Sequence, residues 1–549
     1  MKRDGTPERE LLFLALGGSG EVGMNVNLYG CDGKWLMVDL GMTFSGNEYP
    51  GVDLVFADLE FIEERLDSLV GIVLTHGHED HIGAIPYFAE DLGVPLYASP
   101  FTAGLVARKL EEAGLSRTVR LNVIKESHGQ FDVGPFGLTY VPMAHSIAEA
   151  NALLIDTPYG RVFHSGDWKL DEDPIVGEPA TQSQLNDIGD AGVLALVCDS
   201  TNTFNSEASG SEGAVHRGLL DEVRRHDGCR VVITTFASNI ARLQTIGDVA
   251  RETGRQVCIA GRSIDRYLEV AQDTGYLADF PEPVSVDDAM NLPRGQVLIV
   301  ATGGQGEPRA ALSRMAEGTH PIKLTNGDVV LFSSRQIPGN EVPIGIMQNA
   351  LAERGIVMIT DRQSTIHVSG HPGRPELQTV YRWLKPEILV PVHGEVRHLA
   401  EQARLGLSTG VPKTVVQKNG EVIRLAPGEP EKLMEVRAGR LLLDGDIIVP
   451  ADGEAITTRR RLAQNGLLVV MLGRNGGVQV EAFGLPLDED HDEFIAEAEA
   501  DVTKALSRAG KGSTRDEKSS MEAARVAARQ TARRWSGKNP QVKVLRSKV

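Results

Sequence analysis

Four side chains able to ligate a metal, His76, His78, Asp80 and His81, crowd into one short run, Thr75-His76-Gly77-His78-Glu79-Asp80-His81-Ile82-Gly83. No other stretch constrains the fold as much. The apolar run before it, Gly71-Ile72-Val73-Leu74, reads as a buried strand. Gly77 and Gly83 permit the tight backbone of a ligand loop. His76 and His78 are two apart, so an extended segment points both the same way. Imidazoles with a carboxylate suit zinc or manganese, not a calcium cage or a thiolate site. An exposed turn that holds histidines by accident would not explain why a buried strand delivers them.

The same pattern recurs downstream. Residues 141–145 end a short strand at His145. Residues 151–156 and 161–164 form a strand pair that runs into Ser165-Gly166-Asp167. Residues 193–198 stop at Asp199-Ser200-Thr201-Asn202, and Leu389-Val390-Pro391-Val392 stops at His393-Gly394-Glu395. An α/β scaffold collects ligands in this way along one edge of its sheets. His76, His78 and His145 are expected to hold one cation and Asp80, His81 and His393 another, with Asp167 bridging. Two cations about 3.5–4 Å apart would sharpen a shared water and neutralise charge on a phosphodiester or another ester. His371, in His367-Val368-Ser369-Gly370-His371, is spare in this count and is the candidate acid for the leaving group. Asp199 would orient or charge-stabilise it. Asp80 is counted as both ligand and catalytic residue. His367 reads as a phosphate contact or a partner to a ligand. His128, His164, His216, His226, His320, His398 and His491 lack such context and read as structural or surface residues.

Gly18, Gly20 and Gly23, with Asp39 about twenty residues on, match a dinucleotide fingerprint. That motif needs a helix after the glycines. Here residues 24–29 alternate apolar and polar and residues 34–39 make another strand, so hairpins are expected and the glycines shape a turn near the metal site. Helices are expected over 56–69, 82–92 and 99–113. A polar stretch, 203–212, marks a boundary. Beyond it helix and strand alternate over 214–225, 230–235, 240–253, 256–260, 295–301 and 328–332, which implies a parallel sheet. Its strands lead into loops at 234–239, 261–263, 302–306 and 333–335. These are small, polar or cationic, and suit phosphate oxygens at the carboxyl ends of strands. Short strands follow in 405–455. From 456 the chain reads as a separate segment. It has a basic linker at Arg459-Arg460-Arg461, strands over 466–473 and 478–483, an acidic stretch over 487–501, and helices over 502–507 and 521–535. Arg525, Arg529, Arg533 and Arg534 would face RNA or another subunit.

The formal net charge of −19 argues against nucleic-acid binding by bulk charge, though not against a local basic groove. Cys31, Cys198, Cys229 and Cys258 form no Cys-x-x-Cys pair, so neither a disulfide framework nor a zinc ribbon is indicated and a reducing compartment fits. Residues 1–10 have no apolar signal core, and no run of about 18 apolar residues suggests a membrane span. A cytoplasmic location is expected.

The 76–81 signature with His145 and Asp167 resembles the metallo-β-lactamase superfamily. The inserted α/β segment with Asp199, His371 and His393 resembles its nucleic-acid-processing β-CASP branch. Residues 17–23, 199–202, 302–306, 367–371 and 393–395 are most similar to the bacterial ribonuclease J family. The resemblance implies an α/β fold: a split αββα sandwich (1–205 and 366–455), an inserted parallel-sheet domain (206–365), and a linker with a small α+β C-terminal domain (456–549). It implies RNA maturation and decay, 5′-to-3′ from a 5′-monophosphate end of single-stranded RNA and also by internal cuts. Two zinc or manganese ions per subunit, a homodimer or dimer of dimers, and RNA-degradation machinery as a partner are implied too. By position, Gly261, Arg262 and Ser263 would receive the 5′ phosphate, and His367, Val368, Ser369, Gly370 and His371 would grip a backbone phosphate. Gly51, Asp53 and Asp446 match a structural calcium position of some relatives. The alternatives are a DNA nuclease or small-ester hydrolase with the same metals, and a non-catalytic RNA-binding scaffold.

Overall fold

The computed structural model describes residues 9–46, 48–125, 129–337, 339–473, 475–509 and 517–547. His128 lies outside the described residues. The chain divides into two compact units, one of residues 1–43 with 56–438, the other of 44–55 with 439–549.

The larger unit is built on three main sheets. An eight-stranded sheet runs, in spatial order, Glu431–Glu435, Glu421–Ala426, Leu11–Gly17, Val26–Cys31, Lys34–Val38, Leu69–Val73, Leu96–Ala98, Leu121–Val123. A seven-stranded sheet runs Gln130–Val133, Phe136–Pro142, Asn151–Thr157, Gly160–His164, Ala195–Asp199, Ile388–Val392, Lys413–Thr414. Their inner faces share one core, with Phe13, Tyr29, Val73, Leu138, Leu153, Val197 and Val390 among its buried members. The outer face of the second sheet packs Trp168, Leu377, Tyr381 and Leu384. This is the αββα sandwich expected.

The sandwich is split in sequence. Ile388–Val392 returns after about 190 intervening residues and pairs in parallel with Ala195–Asp199, Asp199 opposite Val392. Between them lies a parallel five-stranded sheet, in the order Gln256–Ala260, Val297–Ala301, Val231–Thr234, Val329–Phe332, Val357–Ile359. A strand hydrogen-bonded on both sides and covered on both faces must be apolar throughout. Val297–Ala301 and Val329–Phe332 are buried at every position.

One buried ion pair knits the insertion together. Arg242 is fully buried. Its Nη2 donates to both carboxylate oxygens of Glu212 at 3.2 and 3.0 Å, and its Nη1 donates to the Ser333 carbonyl at 2.9 Å and the Ile366 carbonyl at 3.3 Å. Truncating one partner strands a buried charge, which costs about 3–5 kcal/mol. Arg242→Met is expected to lose about that much stability, read as the shift of a urea unfolding midpoint.

In the smaller unit, Leu467–Leu472 pairs antiparallel with Val478–Phe483 and parallel with Gln541–Arg546. The last strand lies beyond the elements expected from sequence, because half of its residues, Gln541, Lys543 and Arg546, are polar. The helices His491–Ala509 and Glu517–Ser536 form a core with this sheet through Phe494, Ala498, Val502, Ala524, Ala528 and Ala532. The first helix starts well before the expected residue 502. The acidic residues of 487–501 lie among apolar ones spaced by four, and Phe494, Ala498 and Val502 give that stretch one buried stripe. The basic run 459–461 is also not a linker. It sits inside the helix Glu454–Asn465, which is anchored by the buried Ile456. In the larger unit, residues 56–69 are not one helix. Leu54–Ala57 is a strand, Glu60–Glu63 a single turn, Leu66–Ser68 a 3-10 turn and Leu69–Val73 a strand. Phe61 and Ile62 are buried, but Leu66 is 39% exposed, so the apolar stripe ends after one turn. Among the described residues no helix is long and apolar enough to cross a membrane.

Candidate metal centre

Most predicted ligands sit just past, or at, the carboxyl end of a strand. His76 and His78 follow Leu69–Val73, and His81 lies on the short helix Glu79–Ile82. His145 follows Phe136–Pro142, Asp167 follows Gly160–His164, Asp199 ends its strand, and His393 follows Ile388–Val392. The Gly18 loop supports the last of these, because the Gly18 carbonyl accepts the His393 amide at 2.6 Å. Gly18 has φ +85°, and a Cβ there would lie 2.3 Å from the Asn25 side-chain oxygen. A strand, Val26–Cys31, follows the glycines, so they serve this site and not a dinucleotide.

The side chains converge in three groups that share Asp167: His76, His78, His145 and Asp167; Asp80, His81, Asp167 and His393; Asp167, Asp199, His371 and His393. In each, the donor atoms lie within 4.8 Å of one another. The hydrogen bonds show what the first group lacks. His145 Nδ1 lies 2.6 Å from the Gly370 carbonyl, which only accepts, so Nδ1 carries the proton and Nε2 is a bare lone pair. Thr75 Oγ1 spends its one hydrogen on Asp39 at 2.9 Å, so it accepts from His76 Nδ1 at 3.0 Å and leaves His76 Nε2 bare. Both bare nitrogens lie 3.1 Å from His78 Nδ1. At most one proton is available for both, so an imidazole lone pair faces no donor. A cation resolves this arrangement. In the second group the buried His393 Nε2 has no hydrogen-bond partner, although Asp80 Oδ2 is 3.2 Å away. The donor set therefore fits two divalent cations of the zinc or manganese type.

The electrostatics divide along the same lines. Burial, then the charges of neighbouring histidines, hold His76 well below the usual histidine range. Burial lowers His78 to about 4 and His145 to about 3, against the pull of nearby carboxylates. These three rings are neutral and ready to ligate. Burial would lower His81 and His393 also, but Asp167 leads the carboxylates that outweigh it and raise both. Burial would raise Asp80 and Asp167, yet His81 and His393 keep both ionised. The second group thus demands positive charge.

Beside it, His371 Nδ1 donates to Asp199 Oδ2 at 2.7 Å and lies 4.0 Å from Asp167. Burial lowers the affinity of His371 for a proton, but Asp199 and then Asp167 reverse this, and its pKa is raised. Asn202 Nδ2 holds this loop by donating to Ser369 Oγ at 2.6 Å and to the His371 carbonyl at 3.1 Å.

Two contributors were missed in the sequence. Asp39 is fully buried and accepts from the Thr75 amide at 2.7 Å and from His81 Nδ1 at 2.7 Å. It fixes the tautomer and direction of His81. Its position at a strand end, like that of the other ligands, was the available signal. Ser238 Oγ, from the inserted domain, lies 3.1 Å from His78 Nε2. Removing such an outer partner weakens metal binding by about 10- to 100-fold. Asp39→Ala is expected to weaken divalent-metal affinity by about that factor, measured by competition with a chromophoric chelator.

The other predicted residues are spread more widely. Gly261 ends the strand Gln256–Ala260 and precedes the helix Arg262–Asp273. Ser263 lines a cavity of about 120 Å³ with Thr235, Thr302, Gly303, Gly304 and Ser334, while Arg262 is exposed and is not among the lining residues. The buried hydroxyls of Thr234, Thr235 and Ser334 have no partners, so the end of this sheet has spare donors. His367 Nδ1 is likewise unpartnered, and burial with Arg242 and Arg335 lowers its pKa to about 3. Val368 packs toward Gly210. Among the described residues, Asp53 and Asp446 join no group of converging donors, and the nearest side-chain atom to a Cβ at Gly51 is the Arg459 guanidinium, 3.6 Å away. That guanidinium pairs with Asp444 at 2.7 Å, so a cation already stands beside the expected calcium position.

Family comparisons agree with this architecture. The family described as Metallo-beta-lactamase superfamily matches residues 20–194, and Ribonuclease J, beta-CASP domain, matches 228–351. Zn-dependent metallo-hydrolase RNA specificity domain matches 356–416, and Ribonuclease J C-terminal domain matches 454–549. Ribonuclease J of Sinorhizobium meliloti is 42% identical over 558 aligned positions, covering 100% of this chain and 99% of that protein. Ribonuclease J of Mycolicibacterium smegmatis is 39% identical, covering 84% of this chain and 82% of that protein. A crystal structure of a protein of unknown function from Enterococcus faecalis V583 superposes with a TM-score of 0.54 at 15% identity, over 76% of this chain and 100% of that one, and speaks to the fold alone. With a relative 42% identical along its whole length, the chain belongs to the ribonuclease J family.

Proposed function

We propose that this metal-dependent hydrolase of RNA removes nucleotides from a 5′-monophosphate end and also cuts internally, by hydrolysis at the centre shared by Asp167. The observation that supports this reading most is the meeting of three donor groups on that one carboxylate, beside the His371–Asp199 pair.

When bound, two divalent cations would supply a water of lowered pKa and neutralise charge on the phosphate. The bare nitrogens of His76, His78 and His145 would hold one, and Asp80, His81 and His393 the other. Asp39, which accepts from His81 Nδ1, keeps His81 Nε2 aimed inward. Hydrolysis forms a new phosphorus–oxygen bond and breaks the bond to the 3′ oxygen. His371 carries the proton that this oxygen needs, and Asp199 keeps it there until the bond breaks. Residues 367–371 would hold a backbone phosphate, and the cavity at Ser263 the terminal 5′ phosphate. The whole-chain charge of −19 gives no general attraction to RNA, so local contacts carry binding. Assembly as a dimer or dimer of dimers, and association with RNA-degradation machinery, belong to the same reading.

Product analysis on matched RNAs tests it. The 5′-monophosphate substrate should yield mononucleotides, and the 5′-triphosphate substrate only internal fragments. Equal release of mononucleotides from both would remove the 5′-phosphate assignment, and intact RNA in both would remove the reading.

A further inference from the structure

One aromatic ring near the metal centre is left in water. Phe204 is 53% exposed. A single exposed apolar side chain is ordinary on a protein surface. The placement of this one is not. It sits on the loop that leaves Asp199, in a turn where the Asn205 amide donates to the Asn202 carbonyl at 2.8 Å. Asn202 is the residue that grips the His371 loop. Thr203, one residue before the ring, is fully buried, and its Oγ1 donates to the Ser200 carbonyl at 2.8 Å. The ring is therefore presented on a rigid support.

Its neighbours suit a flat, polarisable partner. The Arg397 guanidinium lies 5.9 Å from the ring centroid, and the His398 ring lies 5.2 Å away at an interplanar angle of 63°. Both belong to the helix Val396–Thr409, which begins three residues after the ligand His393. Arg397 is oriented by Glu395, whose Oε2 accepts from Nε at 2.6 Å, and its side chain remains 65% exposed. An aromatic ring with a guanidinium over it stacks single-stranded bases of any identity.

We propose that Phe204, with Arg397 and His398, is a stacking platform for one nucleobase of the RNA strand held across the metal centre. It is a positioning device, since it touches the substrate away from the reacting atoms. The proposal rests on the reading of the site as an RNA hydrolase and adds a base contact to it.

The test compares wild type, F204A and F204W on single-stranded RNA, with binding by fluorescence anisotropy and with steady-state cleavage. A set of substrates carries one abasic residue at each position in turn. Losing one stacked base costs about tenfold, so F204A should raise KM and the RNA dissociation constant by about that factor, with kcat less affected. F204W should restore both. An abasic residue at one position should cost wild type the same factor and cost F204A nothing further, a non-additivity that a structural role for Phe204 would not give. F204A with wild-type KM, or equal abasic losses in both proteins, would overturn the platform and leave the hydrolase reading standing. RNA that binds through Phe204 but stays intact would do the reverse.

Discussion

Asp167→Ala is expected to lower RNA hydrolysis by about three orders of magnitude or more, and to lower bound metal with it. Asp167 is the one residue present in all three donor groups. Its Oδ2 lies 3.8 Å from His76 Nε2, 3.7 Å from His145 Nε2 and 3.4 Å from His81 Nε2, and its Oδ1 lies 3.0 Å from His393 Nδ1. No other carboxylate among the described residues reaches both halves of the site. Its loss also removes the leading charge that raises His81 and His393, so the second group would lose its preference for a cation. Steady-state cleavage of 5′-monophosphate RNA, with metal content from the same preparation, reads both effects. Near wild-type turnover in the variant would show that the three groups do not act as one centre.

His371→Ala is expected to slow cleavage by about 10²- to 10⁴-fold while the metals stay bound, the range for loss of a positioned general acid. The neighbouring substitution gives the sign of the pH dependence. Asp199 raises the pKa of His371, so the proton is held below that raised value and lost as pH climbs through it. Activity that needs this proton falls on the alkaline side. Asp199→Asn removes the charge that most raises the pKa, so the alkaline limb of the kcat/KM profile should move to lower pH. A limb that stays in place would take the proton donor away from His371.

Most of the converging donors were legible in sequence because they end or follow a buried strand, and such strands are short apolar runs. His393 could be counted among the candidate donors before any geometry, as it follows Leu389-Val390-Pro391-Val392. Asp39 was hidden for the opposite reason. Its strand was read as one arm of a hairpin beside a glycine motif, and nothing local says that the carboxylate turns inward to meet His81, 42 residues on. The Ser238 contact with His78 bridges 160 residues and depends on how the inserted domain meets the sandwich, which no local pattern encodes. Helical periodicity failed at 56–69, where only Phe61 and Ile62 find cover, and it understated the helix His491–Ala509, whose acidic residues masked a buried stripe through Phe494, Ala498 and Val502. The cavity at Ser263 follows from the parallel sheet itself, since open α/β sheets leave their clefts at the carboxyl ends of strands.

The most direct test of the account is the metal stoichiometry of the full-length protein, purified without chelator and measured by elemental analysis beside its RNA-cleaving activity. Two zinc or manganese ions per chain, both removed together with activity by a strong chelator and restored together on re-addition, is the predicted result. Wild-type protein that cleaves RNA at full rate with fewer than one ion per chain would contradict it.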